Sequence, residues 1–137
     1  MKIWGILSAA ALLGACATNA VDEPPRGLTY DEAVVCSGLT RATLMTVQHA
    51  RYYPTAALQT RAQRFAVWAG RLASADGRDR RAAARDIAEQ SDYSLAPFPR
   101  PFEDYPFAQL DRTFDTLQAS SERCANRLPS VEVIVSY

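Results

Sequence analysis

The sequence predicts an all-α fold: a four-helix up-and-down bundle with a Pro-rich crossover before the last helix and a short extended C-terminal tail. Three observations carry that expectation. Apolar residues recur at three- and four-residue steps through four separate stretches, the period of one helical face. Pro or Gly punctuates the boundaries between them. A β-branched apolar run occurs only in the last seven residues, with no partner strand in sight.

The chain divides into residues 1–15, 16–27 and 28–137. Met1-Lys2 is a short basic start, and Ile3 to Leu13 is an apolar run rich in small residues. A membrane-spanning helix needs roughly 20 apolar residues, so this run is too short for one and suits the core of a cleaved signal peptide. The residues Leu13-Gly14-Ala15-Cys16 resemble the lipobox of bacterial lipoproteins: Leu, two small residues, then Cys. The resemblance implies cleavage before Cys16, a diacylglycerol on its thiol and a new amine open to acylation. Ala17 rather than Asp follows, which in such proteins favours sorting to the outer membrane. The implied location is therefore the periplasmic face of the outer membrane, with a lipid anchor. Two or more acyl chains make anchoring stable where one is marginal. The alternative is an ordinary signal peptide cut after Ala15 or Ala20, with Cys16 incidental.

Residues 16–27 read as a flexible tether with few apolar residues and the sequence Asp22-Glu23-Pro24-Pro25. Eleven or so extended residues span at most ~35–40 Å, so the domain would sit close to its bilayer.

The first helix opens at Leu28-Thr29-Tyr30-Asp31-Glu32. Thr29 and Glu32 have capping-box spacing, and Asp31 adds negative charge near the positive end of the dipole. Cys36, Leu39, Thr43, Val47 and Ala50 form its stripe, widened by Val35, Ala42 and Met45, and Pro54 stops it after Tyr52-Tyr53. The second helix starts near Thr55. Leu58, Ala62, Phe65, Ala69 and Leu72 line one face, Trp68 flanks them, and Arg61, Arg64 and Arg71 lie mostly off it; Asp76-Gly77 ends it, Gly readily taking the left-handed cap. A third, weakly apolar helix runs from Arg78 to about Gln90, with Ala83, Ala84, Ile87 and Ala88 as a thin face. From Ser91 to Tyr105 the pattern breaks. Ala96-Pro97-Phe98-Pro99-Arg100-Pro101-Phe102 is expected to be extended, because Pro lacks a donor and restricts its predecessor. Pro106 sits in the first turn of the fourth helix, where a missing N–H costs little. Phe107, Leu110, Phe114, Leu117, Ser121, Cys124 and Leu128 make the strongest periodic signal in the chain. Val131 to Tyr137 has strand propensity and either packs, frays or adds to a partner's sheet edge.

Besides Cys16, the chain after the leader holds two cysteines, Cys36 and Cys124. An even pair in an exported chain suggests one disulfide, and both lie on helical stripes, so it would staple the first helix to the last. The alternative is two buried free thiols. Neither has a Cys or His close in sequence, so no zinc site is expected.

Formal charge is zero, with 15 basic and 15 acidic residues, and falls to about one negative unit once Lys2, the only lysine, leaves with the signal peptide. There is no basic field for nucleic acid. His49, the only histidine, lies near the end of the first helix and reads as a helix-end cation rather than a base. No serine sits in a nucleophile-elbow sequence. The acid pairs Asp31-Glu32, Glu103-Asp104 and Asp111/Asp115 lie near helix starts, where they stabilise the dipole. No catalytic, metal, cofactor or nucleotide signature emerges, and the chain is not expected to be an enzyme. The aromatic residues exceed what a four-helix core of this size needs, and several flank Arg, as interface hot spots do. Tyr52, Tyr53, Phe98 and Phe102 are the candidate contacts for an envelope-protein partner; the alternative is that Phe98, Phe102 and Phe107 complete the core. Binding of a small apolar ligand or lipid inside the bundle is the second functional expectation.

Overall fold

The computed structural model describes residues 23–50, 55–98 and 106–128. Cys16, Tyr52, Tyr53 and Phe102, the Pro-rich residues 99–105 and the tail 131–137 lie outside the described residues, as does the side chain of His49. The fold is all-α. Four helices follow one another: α1 (Tyr30–Ala50), α2 (Ala56–Ala75), α3 (Arg80–Leu95) and α4 (Phe107–Ala125).

Local chemistry explains each boundary. A turn carries Pro25 to Leu28, with Gly27 at φ 76° and the Leu28 N–H donating to the Pro25 carbonyl at 3.1 Å. Thr29 Oγ1 accepts from the Glu32 N–H at 3.2 Å, the first half of the expected capping box. The Glu32 carboxylate is engaged elsewhere, by Arg127. At the end of α2, Gly77 takes φ 71°, its N–H donates to Ser74, and the Arg78 N–H donates to Ala73, which together make a Schellman cap. Asp79 then caps α3, accepting from the Arg81 N–H at 3.0 Å.

α3 is longer than the sequence pattern predicts. It continues through Ser91 to Leu95, because Ala83, Ile87, Ser91 and Leu95 stay on one buried face. Ser94 returns its hydroxyl to the Gln90 carbonyl at 2.8 Å, so the polar run Ser91-Asp92-Tyr93-Ser94 remains helical. Pro106, expected in the first turn of α4, stands just before it as the N-cap residue.

α1 is the hub. It packs against α2, α3 and α4, and α2 also packs against α3. Three neighbours bury most of its circumference, including Ser37, Thr40, Thr43 and Thr46. Their hydroxyls are satisfied at close range: Ser37 donates to the Ala62 carbonyl at 3.0 Å, Thr43 to Leu39 at 2.8 Å and Thr46 to Thr43 at 2.7 Å. Val35 and Met45, expected to widen the buried stripe, are instead 38% and 41% exposed. They occupy what remains of the helix surface between its neighbours.

The disulfide Cys36–Cys124 ties α1 to α4 across 88 residues, with the Cα atoms 5.5 Å apart. Further along the same seam, Ser121 Oγ donates to Thr40 Oγ1 at 3.2 Å. α3 approaches α1 closely at Gly38, where a Cβ would stand 2.6 Å from Gln90 Cγ and 3.0 Å from the Ser91 backbone nitrogen.

Buried side chains form two clusters. The first gathers Leu28, Tyr30, Val34, Phe65, Trp68 and Ile87 around the disulfide, with Phe65 and Trp68 edge to face at 5.3 Å. The second joins Ala42, Val47, Leu95, Phe98, Phe114 and Leu117. Leu39 packs against both. Trp68 lies in the first cluster with no exposed surface rather than at the edge of a stripe. Arg61, expected off the buried face of α2, is half-buried against α4 and donates from Nη1 to both the carbonyl and the hydroxyl of Ser121 at 3.1 Å.

Candidate functional site

α3 and α4 both lie on α1 and touch each other little, which leaves a furrow between them. Leu39 of α1 is its floor. One hollow lies between the two helices, and a second continues it along α1 and α4, sharing Leu39 and Ser120. One, about 340 Å³, is walled by Gln90, Tyr93, Ser94, Ala96 and Pro97 on one side and Thr113, Thr116, Leu117 and Ser120 on the other. The other, about 360 Å³, is bounded by Glu32, Val35 and Cys36 of α1 and by Arg123, Cys124 and Arg127 of the α4 end.

The furrow is less polar than its residue types imply. Ser94, Thr116 and Ser120 each return their hydroxyl proton to a carbonyl one turn earlier in their own helix, at 2.8, 3.0 and 2.9 Å. Apolar surface is then what they offer most readily to a partner. Val35 and Tyr93, the latter 77% exposed, lie on the rims.

Charge gathers at the disulfide end of the furrow. Arg127 donates from Nε to Glu32 Oε1 at 2.7 Å and from Nη2 to Oε2 at 3.0 Å, a bidentate pair, and reaches the Gly27 carbonyl at 3.3 Å. The guanidinium hydrogen bonds hold the Glu32 carboxyl below the usual glutamate range, and the pairing raises Arg127 in turn. Arg123 donates to Ser120 at 2.9 Å from an otherwise exposed position.

The residues expected to act fall out as follows. Cys36 and Cys124 come together as a disulfide, so neither offers a thiol. Phe98 is only 4% exposed and belongs to the second core cluster. Of the two roles expected for it, completing the core is the one its position serves. Its neighbours Ala96 and Pro97 reach the furrow wall in its place. Glu32, one of the paired acids, is ionised and bonded to Arg127, which unfits it as a general acid. Asp111 and Asp115 are exposed on α4. Tyr30 donates to Asp86 at 2.7 Å beneath the Arg78 guanidinium, 4.5 Å from its ring; burial, followed by that hydrogen bond, raises its phenol. That cluster joins the start of α1 to α3. Among the described residues no group of His, Cys, Asp and Glu could hold a metal ion. No described helix is long and apolar enough to cross a membrane.

Tyr93 and Val35 are furrow residues that the sequence pattern does not mark as exposed contacts. Tyr93 lies where the helical pattern breaks in the sequence, and Val35 on the stripe expected to be buried. Extending the Ala83/Ile87 face by two further four-residue steps would have put Tyr93 on the outside of α3.

The chain matches no protein-family model, no curated protein and no solved structure.

Proposed function

We propose that this protein is a non-enzymatic lipoprotein, anchored through Cys16 on the periplasmic face of the outer membrane, that acts by binding another envelope protein along the α3/α4 furrow. Accessory, inhibitor and immunity-type roles all fit that reading. The single observation that carries it is the furrow: Tyr93 and Val35 exposed over Leu39 and Leu117, with wall hydroxyls turned back on their own helices. The partner is an amphipathic segment that seats apolar side chains on Leu39 and carries an acidic residue toward Arg123. The lipobox-like Leu13-Gly14-Ala15-Cys16 supports the placement. The finer architecture belongs to the same reading: four helices alternating in direction, with a Pro-rich crossover into α4. Its support is the order of close pairs. Cys36, Thr40 and Thr43 meet Cys124, Ser121 and Leu117, whereas Tyr30 and Gly38 meet Asp86 and Gln90.

A photo-crosslinking side chain placed at Tyr93, in cells carrying the full chain, tests the reading. A discrete adduct with one envelope protein is expected, lost when Ser120→Trp fills the furrow and absent when the probe sits at Gln63 on α2. Equal labelling from both positions overturns it. Cys16→Ser should release the protein from the membrane fraction and abolish fatty-acid labelling; unchanged fractionation would refute the anchor.

The second reading, a small apolar ligand, is favoured by one observation. Each half of the furrow reaches the ~300 Å³ at which ligand sites begin. Saturable binding of an apolar fluorophore, displaced by no envelope protein, would select it.

A further inference from the structure

Away from the furrow, on the opposite flank of α4, α2 and α4 enclose a smaller pocket of about 150 Å³. Val47, Ala57 and Leu58 form its apolar walls, and Arg61, Ser121 and Glu122 its polar side. Arg61 is held in place by Ser121, itself fully buried and tied to Thr40. No carboxylate among the described residues pairs with this guanidinium, and its Nε is buried without a hydrogen-bond partner. A half-buried guanidinium that pairs with no carboxylate among the described residues is poorly compensated, so an anion that enters here gains more than it would on an exposed arginine. The start of α2 adds the same sign. The Thr55 side chain makes no capping hydrogen bond and the first turn holds no acidic residue, while Ala57 and Leu58 of that turn line the pocket.

We propose that this pocket binds a small carboxylate with a short apolar tail, the carboxylate on Arg61 and the tail against Val47 and Leu58. Its volume is well below the ~300–1,000 Å³ of drug-sized sites, which limits the tail to a few carbons. Glu122 is the opposing element. It lies on the rim, accepts from Gln118 Nε2 at 3.2 Å, and repels a second carboxylate. It therefore sets the affinity from outside the contact itself.

The test is a titration of the full chain with butyrate at constant ionic strength, followed by amide NMR shifts. Butanol and inorganic phosphate serve as the uncharged and the tail-less probes. Saturable shifts at Ala57, Leu58 and Ser121 are expected with butyrate, weaker ones with phosphate and none with butanol. Arg61→Gln should weaken butyrate binding roughly tenfold or more, the scale of a charge-assisted hydrogen bond. Glu122→Gln should tighten it several-fold. No saturable response to butyrate, an equal response to butanol, or unchanged affinity in Glu122→Gln overturns the proposal. Should Arg61→Gln fail to fold, the butyrate–butanol difference and Glu122→Gln decide between these outcomes. Binding that phosphate matches in full would overturn the role given to the apolar walls.

Discussion

The two halves of this bundle hold α4 to α1 by different means. Around the first core cluster the connection is covalent and ionic: Cys36–Cys124, with Arg127 clasping Glu32 and the Gly27 carbonyl beside it. Around the second it rests on packing, with Phe98, Phe114, Leu117 and Leu95 buried together over Ala42 and Val47. The first half is closed by bonds whose geometry is directional and whose partners lie 88 or more residues apart in sequence. The second is closed by non-directional apolar contact. α4 meets α2 through the Arg61–Ser121 hydrogen bonds and α3 through Leu95, and elsewhere leans on α1, so each end is secured to α1 in its own way. The furrow and the Arg61 pocket lie on its two flanks, and both depend on α4 keeping its distance from those neighbours.

The largest effect is expected from removing the covalent closure. Cys36→Ala with Cys124→Ala should lower stability by roughly 4.5 kcal/mol, the chain-entropy value for a loop of this length. Urea unfolding of oxidised wild type against the double variant measures it. A loss under about 1 kcal/mol would mean that Arg127 and the first cluster secure this end without the bond. Next in size is Phe98→Ala, which empties the second cluster of a buried ring and should cost about 3 kcal/mol. Native-state hydrogen exchange separates the two. The cysteine variant should raise exchange first near the end of α4, and Phe98→Ala first around Phe114. If both raise exchange uniformly, the halves are one cooperative unit and the contrast fails.

How legible this was in the sequence follows from how many neighbours each helix has. α2 and α4 present one face to the core, and their stripes, Phe65/Ala69 and Phe114/Leu117/Ser121/Cys124, could be read directly from spacing. The cysteines fell on two such stripes, which brought their pairing within reach. α1 resisted because a hub helix is buried nearly all round. Its residues Ser37 and Thr40 look like surface, yet both are interior, Ser37 donating to the Ala62 carbonyl and Thr40 accepting from the Ser121 hydroxyl. Gly38 carried no pattern signal, since its role is a close approach of Gln90 from a distant helix. The same holds for Arg61 and Arg127. Charge alone marks them as solvated, and only the fold supplies Ser121 to one and Glu32 to the other. The furrow was illegible because it is the gap between α3 and α4, and periodicity reports which face of a helix is buried, not which neighbours stay apart.

The smallest effect tests the ionic part of the first closure. Glu32 and Arg127 meet bidentately at 2.7 and 3.0 Å, but their side chains remain 35% and 38% exposed, so water and salt screen much of the attraction. The pH dependence still has a definite sign. The Glu32 carboxyl titrates lower in the folded chain than in the unfolded one, where glutamate sits near about 4.3. The unfolded state therefore binds its proton first as pH falls. The pair's contribution is fully present above that unfolded value and disappears as pH drops through the lower, folded one. Comparing urea midpoints of wild type and Glu32→Gln from about pH 7 down to about pH 3 should show a small advantage for wild type that vanishes at the acid end. Arg127→Gln should erase the same advantage, and high salt should shrink it. Removal of Arg127 also releases the Gly27 carbonyl, so that variant should additionally raise exchange at the Leu28 amide, whose turn Gly27 closes. An advantage of wild type over Glu32→Gln that stays constant down to the acid end would show that the Glu32 side chain stabilises this end through packing rather than through its charge, and the contrast between an ionic and an apolar closure would reduce to the disulfide alone.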